Sequence, residues 1–531
     1  MAGQLYFGGD IYTVDDARPT AEAVAVRDGV IAAVGSWREC RAALGPEHEA
    51  VDLRGATLLP SFIDTHLHPL MQIYYDLNVN LRDVRSLAEL QGRLREMARR
   101  RPAGEWIVGL DFDEQNLAEA RLPTRHDLDA ACPDRPVALM KHDGHMTIAN
   151  TRAIEACGAA RLARDPDGGA IDREPDGYPA GPFRETASAL VRSALPIPSL
   201  EAFAAGAKII AARLLSQGVT SIGGIMQTDE DGPIGDGGAL EVMIMSMLAE
   251  HFPLSIYGIV FARALAAVEA ARQSPLQHGE PGESRIGAIK IIADGSLGSC
   301  TAFMFAPFTD QPKQRGFLLL DEKEIYRRMV FAHTAGLQIA IHAIGDAANR
   351  TCIDLFARLL AEHPRRDHRH RIEHASVLDA RMIADLARLG LIAAITPLYL
   401  HSEKRWLHQR LGPDRAKWTY PFRALLDAGV KVAGSSDGPV ESTDVLHAMQ
   451  CCVTREGFEP QQAITAAEAI RLYTIDAAYT HFEESVKGSI TVGKRADLVV
   501  LSENPTRVVA DRIAAIRVLR TVRKGQVLFT R

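Results

Sequence analysis

The chain has 531 residues, 47% hydrophobic and 24% charged, an average globular balance that excludes a mainly disordered protein. Lys and Arg number 60 against 67 Asp and Glu, for a formal charge of -7, so the basic excess that attracts nucleic acid or an anionic membrane is missing. The cysteines number 7, an odd count with no CxxC pair, which excludes a dense disulfide framework and makes a thiolate zinc site improbable.

Met1 to Asp10 carry neither the basic nor the apolar region of a signal peptide. No apolar run approaches the ~18 residues of a membrane span. The expectation is a cytoplasmic protein with reduced thiols. Short strands are predicted at 11–14, 23–26 and 30–34, with Asp28-Gly29 as a hairpin turn. From there, apolar strands at 61–65, 219–223, 254–260, 288–293, 338–341, 371–373, 391–396 and 430–434 alternate with helix-like segments. Eight such strands suffice to close a (β/α)8 TIM barrel, an α/β fold. The long gap between the first two predicts a large insertion, 70–200, after strand one. Barrel sites form at the strands' C-terminal ends, so this insertion is expected to cover or line the site. The chain then returns to β structure at 498–501, 518–522 and 527–529, with Lys524-Gly525 as a second hairpin turn.

Of the 18 histidines, several fall at strand ends. Strand one ends in Asp64-Thr65-His66-Leu67-His68, and alternation in an extended segment turns His66 and His68 to one side. Strand four carries Lys290 in an apolar run, where an unpaired ammonium is costly. His342 ends strand five, His374 ends strand six, and Asp437 follows strand eight. Each has a bland alternative. A lone His-x-His is usually two satisfied polar residues, a buried lysine is usually structural, and Asp before Gly-Pro can be a turn residue. Their coincidence at one end of different strands favours a metal site. His126, His370, His401 and His408 lack this placement.

These motifs resemble the amidohydrolase superfamily, specifically the family-3 amidohydrolases that include N-substituted formamide deformylases. The resemblance runs through residues 21–35 and 59–68, Lys290-Ile291-Ile292-Ala293-Asp294-Gly295 and His342-Ala343-Ile344-Gly345-Asp346. It continues through Arg371-Ile372-Glu373-His374-Ala375, Ser436-Asp437-Gly438-Pro439 and Gly493-Lys494-Arg495-Ala496-Asp497. It implies a small β-sandwich domain built from both chain ends, 1–56 and 484–531, beside a barrel over 57–483. It also implies two divalent ions, with zinc expected and manganese, iron or cobalt compatible with the same ligands. His66, His68 and Asp437 would hold one ion, His342 and His374 the other, and Lys290, carboxylated by carbon dioxide, would bridge them. Asp437 would take a proton from the activated water and pass it to the leaving amine. His145, in the family-like stretch His142-Asp143-Gly144-His145, and Asp294 are candidate substrate contacts.

The implied reaction is hydrolysis of an amide in a small molecule. An ester, lactone or carbamate hydrolase on the same metals is an alternative, as is an inactive regulatory or binding protein. Deaminase-type relatives place a Glu three residues after the strand-five His, where this chain has Gly345. The usual Gln-Pro of strand seven is Thr396-Pro397 here. Tyr74, Tyr75, Trp106, Tyr399 and Trp406 are pocket wall or core, with core favoured for most. No nucleic acid or membrane partner is expected, and the resemblance implies a homodimer.

Overall fold

The computed structural model describes residues 3–141, 146–196, 198–227, 240–249, 252–261 and 279–531, with 268, 273, 274 and 276 singly. All eight predicted barrel strands form. They are Phe62–Leu67, Val219–Gln227, Ser255–Phe261, Arg285–Ile292, Gln338–Ala343, Arg371–His374, Ile392–Ile395 and Lys431–Gly434. They pair in parallel and in chain order. Two further backbone bonds join the last strand's continuation to the first. Asp437 N–H donates to His66 O at 2.8 Å and His68 N–H to Gly438 O at 2.8 Å. The strands are buried nearly throughout, as their continuous apolar sequences require of a parallel sheet covered on both faces.

Strands from both chain ends share one mixed sheet. Its order is Gln526–Thr530, Val518–Arg523, Leu498–Leu501, Thr57–Pro60, Gly3–Tyr12, Thr20–Arg27 and Val30–Gly35, with His48–Asp52 also pairing Gly3–Tyr12. Alternation sorts its residues by face. Val24 and Val26 join Leu58, Leu498 and Val522 in one core. The smaller Ala23 and Ala25 leave room for Cys40 and Leu44 of helix Trp37–Leu44. Both predicted turns are present, with Asp28 and Gly29 at φ 52° and 78° and Lys524 and Gly525 at 49° and 72°. Positive φ at both turn residues matches the twist of a two-residue hairpin.

Met71–Gly206 forms a second compact unit. Its sheet runs Gly169–Arg173, Pro179–Glu185, Met146–Ala149, Val137–Lys141, Ile107–Phe112 and Val79–Asn80. Tyr74 packs there against Val108 and Leu110, Tyr75 donates to Asp111 Oδ1 at 3.1 Å, and Trp106 packs with Phe183. Among the described residues, no helix is long and apolar enough to cross a membrane.

Candidate metal centre

Five of the eight strands deliver His66, His68, Lys290, His342, His374 and Asp437 to one end of the barrel. His66, His374 and Asp437 each offer a ligand atom within 4.8 Å of the others. His66 Nε2 and His68 Nε2 lie 3.2 and 3.1 Å from Asp437 Oδ1. Lys290 Nζ stands 2.8 Å from His66 Nε2. The His342 ring meets that of His374 edge to face, with centroids 4.7 Å apart.

Three of the four imidazoles, those of His66, His374 and His342, are oriented from behind. Glu373, on the strand that ends in His374, takes the Nδ1 side of His66 in a very short contact, and Arg371 pairs with Glu373 Oε1 at 2.6 Å. All three side chains are fully buried. Burial pushes the Glu373 carboxyl up, but Arg371 and then His66 outweigh it and hold it down at about 2. His374 Nδ1 meets Thr396 Oγ1 at 3.0 Å, and His342 Nε2 meets Gly295 O at 3.1 Å. Burial lowers His68, His374 and His342, the last to about 4. These three rings are therefore neutral, the form that ligates a metal.

Asp437 occupies a left-handed backbone position at φ 55°, and His374 another at 70°. Such strain persists only where the surroundings enforce it. Tyr399, on helix Pro397–Leu411, donates its hydroxyl to Asp437 Oδ2 at 2.5 Å and stacks on His374. Asp437 Oδ1, by contrast, is a buried atom without a hydrogen-bond donor. In the tautomer that this network implies, His66 Nδ1–H is committed to Glu373. The Nε2 lone pair then faces Lys290 Nζ and the lone pairs of Asp437 Oδ1. A cation between the ring nitrogen and the carboxylate satisfies both, so the donor set fits a divalent metal. Desolvation holds the Lys290 ammonium below its ordinary range, against the pull of Asp437 and Glu373.

Other predicted residues are placed differently. Asp294, a candidate substrate contact, is fully buried and accepts three backbone N–H groups. They come from Ile344 at 3.0 Å, Gly345 at 2.9 Å and Phe303 at 2.8 Å. Both of its oxygens are thereby engaged in pinning the loop after strand four to the end of strand five. His145 lies outside the described residues. Gly345 has no room for a side chain, because a Cβ there would sit 2.0 Å from Phe303 O and 2.7 Å from Phe303 N. The deaminase-type Glu is thus excluded sterically as well as by sequence. The departure at strand seven lands on the site, since Thr396 orients His374.

Sequence reasoning missed Glu373, and it grouped Tyr399 with aromatic residues that are mostly core. Trp406 is half-buried beneath Arg410, 5.3 Å from the ring centre. His126, His370 and His408 are partnered by Glu174, His333 and Glu459.

Comparison with known proteins supports the same reading. The amidohydrolase family model matches residues 49–529. The putative amidohydrolase YtcJ of Bacillus subtilis (strain 168) is 30% identical over 540 residues, 99% of either chain. The N-substituted formamide deformylase of Arthrobacter pascens is 28% identical over 552 residues, covering 100% of this chain and 99% of its own. A solved structure of an uncharacterized metal-dependent hydrolase from Pyrococcus horikoshii OT3 superposes with a TM-score of 0.79 at 25% identity, over 96% of this chain and 99% of its own. The chain belongs to the amidohydrolase family.

Proposed function

We propose that the protein is a metal-dependent hydrolase that cleaves a non-peptide C–N bond, an amide of a small molecule. N-substituted formamides and N-acyl amines are the first candidates. The observation that carries this reading is the convergence of His66, His68, His374, Lys290 and the unpartnered Asp437 Oδ1, with Glu373 fixing the His66 tautomer. The deformylase relative, similar over its full length, supports the bond class.

His66, His68 and Asp437 would hold one divalent ion, zinc by ligand type, and His342 and His374 a second. Such ions supply Lewis acidity toward a carbonyl and lower the pKa of a bound water. Lys290, as a free amine, would add through its nitrogen to carbon dioxide with release of one proton, and the resulting carbamate would supply anionic ligand oxygens. Burial favours that free amine. Asp437 accepts the proton of the attacking water and returns it to the leaving nitrogen, while Tyr399 keeps the carboxylate in place. Asp294 secures the wall of the site, and His145 is a candidate contact for the substrate.

The test combines metal analysis with turnover of a formamide and N-acyl amine panel. Lys290→Ala is expected to lose metal, and Asp437→Asn to keep its fold while kcat falls about 10²–10⁴-fold. Protein that takes up no Zn2+, Mn2+ or Co2+, or undiminished turnover by Asp437→Asn, overturns the reading.

A further inference from the structure

A second group of metal-competent side chains lies outside the barrel mouth. His401 is on helix Pro397–Leu411, His447 on helix Val445–Thr454, and Glu456 in the turn Arg455–Gly457 that follows. Each offers one ligand atom within 4.8 Å of the others. His401 Nδ1 lies 2.7 Å from Glu456 Oε1, and His447 Nε2 lies 3.7 Å from the same oxygen. Ligand atoms of a tetrahedral zinc with bonds of about 2.1 Å stand roughly 3.4 Å apart, so the two distances bracket that spacing. The two rings meet edge to face, with centroids 4.7 Å apart.

The carboxylate is held for this task by groups that are not ligands. Lys404 takes the other oxygen, Oε2, in a very short contact, which turns Oε1 toward the imidazoles. Arg455 and Glu456 both adopt left-handed backbone, at φ 52° and 48°. The fully buried Arg455 guanidinium enforces this turn by donating to Tyr420 O at 2.7 Å, Thr419 O at 3.2 Å and Phe458 O at 3.2 Å. Asp444 caps the second helix by accepting from the backbone N–H of His447 at 3.1 Å, which fixes that residue's place on the turn. Strained backbone held by a buried anchor is the kind of cost that a functional site carries. His401 is exposed and His447 half-exposed, so solvent reaches the group and a fourth ligand position stays open to water.

We propose that His401, His447 and Glu456 form an accessory binding site for a transition-metal cation of the zinc type, clamping the two helices together. Helix Pro397–Leu411 also carries Tyr399, which touches Asp437, so the clamp holds the element that orients the candidate catalytic carboxylate. The accessory site does not depend on the assignment of the barrel-mouth residues.

Zn2+ is titrated against a chromophoric chelator on His66→Ala/His68→Ala protein, which removes two barrel-mouth ligands. Zn2+ binding that loses one equivalent, or weakens at least about tenfold at one equivalent, on adding either His447→Ala or Glu456→Gln is the expected result. A folded background variant whose Zn2+ binding is unchanged by both additions overturns the proposal. If that background does not fold, the same additions are made to the wild-type chain with its barrel-mouth residues intact. Loss of one equivalent is then expected, and unchanged stoichiometry and affinity overturn the proposal. Co2+ gives an independent readout, since its d–d absorption from the accessory site disappears in His447→Ala.

Discussion

Glu373 serves two buried groups at once. It faces the His66 ring and pairs with Arg371. Glu373→Gln keeps the size and an acceptor but strands the guanidinium, so a loss of about 3 kcal/mol is expected in urea unfolding. Metal affinity should also fall about 10–100-fold, because the ring loses the anion that orients it. Wild-type affinity in this variant would show that Glu373 does not act through His66. Tyr399→Phe tests Asp437. The lost hydroxyl donor favoured the carboxylate form, so the Asp437 pKa rises and the acid limb of the kcat/KM profile moves to higher pH. An acid limb that does not move counts against Asp437 as the titrating group. Neither supporting residue was legible in the sequence. Glu373 reads as an ordinary charge within an apolar strand, and its partner His66 lies on a strand some three hundred residues earlier. The placement of the candidate ligands near strand ends was legible because an apolar strand that runs into a histidine or aspartate is a local signal.

At the scale of elements, every barrel strand and both terminal hairpins were readable, because apolar runs and Asp-Gly or Lys-Gly turns are local patterns. The close approach of the loop after strand four to Gly345 was not, since it depends on Asp294 gathering N–H groups from two segments. Gly345→Ala is expected to cost about 1–3 kcal/mol through overpacking against the Phe303 backbone. Gly429, at φ 77° with open space around its missing side chain, is the control. Gly429→Ala carries only the conformational cost of about 1 kcal/mol. Equal urea midpoints for the two variants would remove the steric argument for what can occupy position 345.

Across the whole molecule, acid sensitivity follows from a histidine relay beneath the barrel helices. His370 Nε2 meets His333 Nδ1 at 2.8 Å, while His370 Nδ1 accepts the Ile339 N–H at 2.9 Å. His368 Nδ1 accepts the His370 N–H at 2.9 Å. Burial lowers all three, His370 furthest. The folded state thus binds fewer protons than the unfolded chain. This contribution is complete above the ordinary imidazole pKa of about 6.5 and is lost progressively as pH falls below it. Urea midpoints should therefore drop between pH 7 and pH 5. His370→Asn, which retains an acceptor for Ile339, should start lower and fall less steeply. A variant slope equal to that of wild type would assign the acid sensitivity elsewhere.

The shared sheet has a consequence for synthesis. Thr57–Pro60 pairs Gly3–Tyr12 on one side and Leu498–Leu501 on the other. On the ribosome, its second edge stays bare until residue 501 has emerged, long after the barrel strands that lie between. Leu58, fully buried in the finished protein, lacks Leu498, Val500 and Val522 from its core in any chain that stops sooner. An open apolar edge is a template for the next chain. The final strands therefore close this sheet last, and a chain truncated before Leu498 is expected to aggregate or to be proteolysed even with its barrel sequence complete.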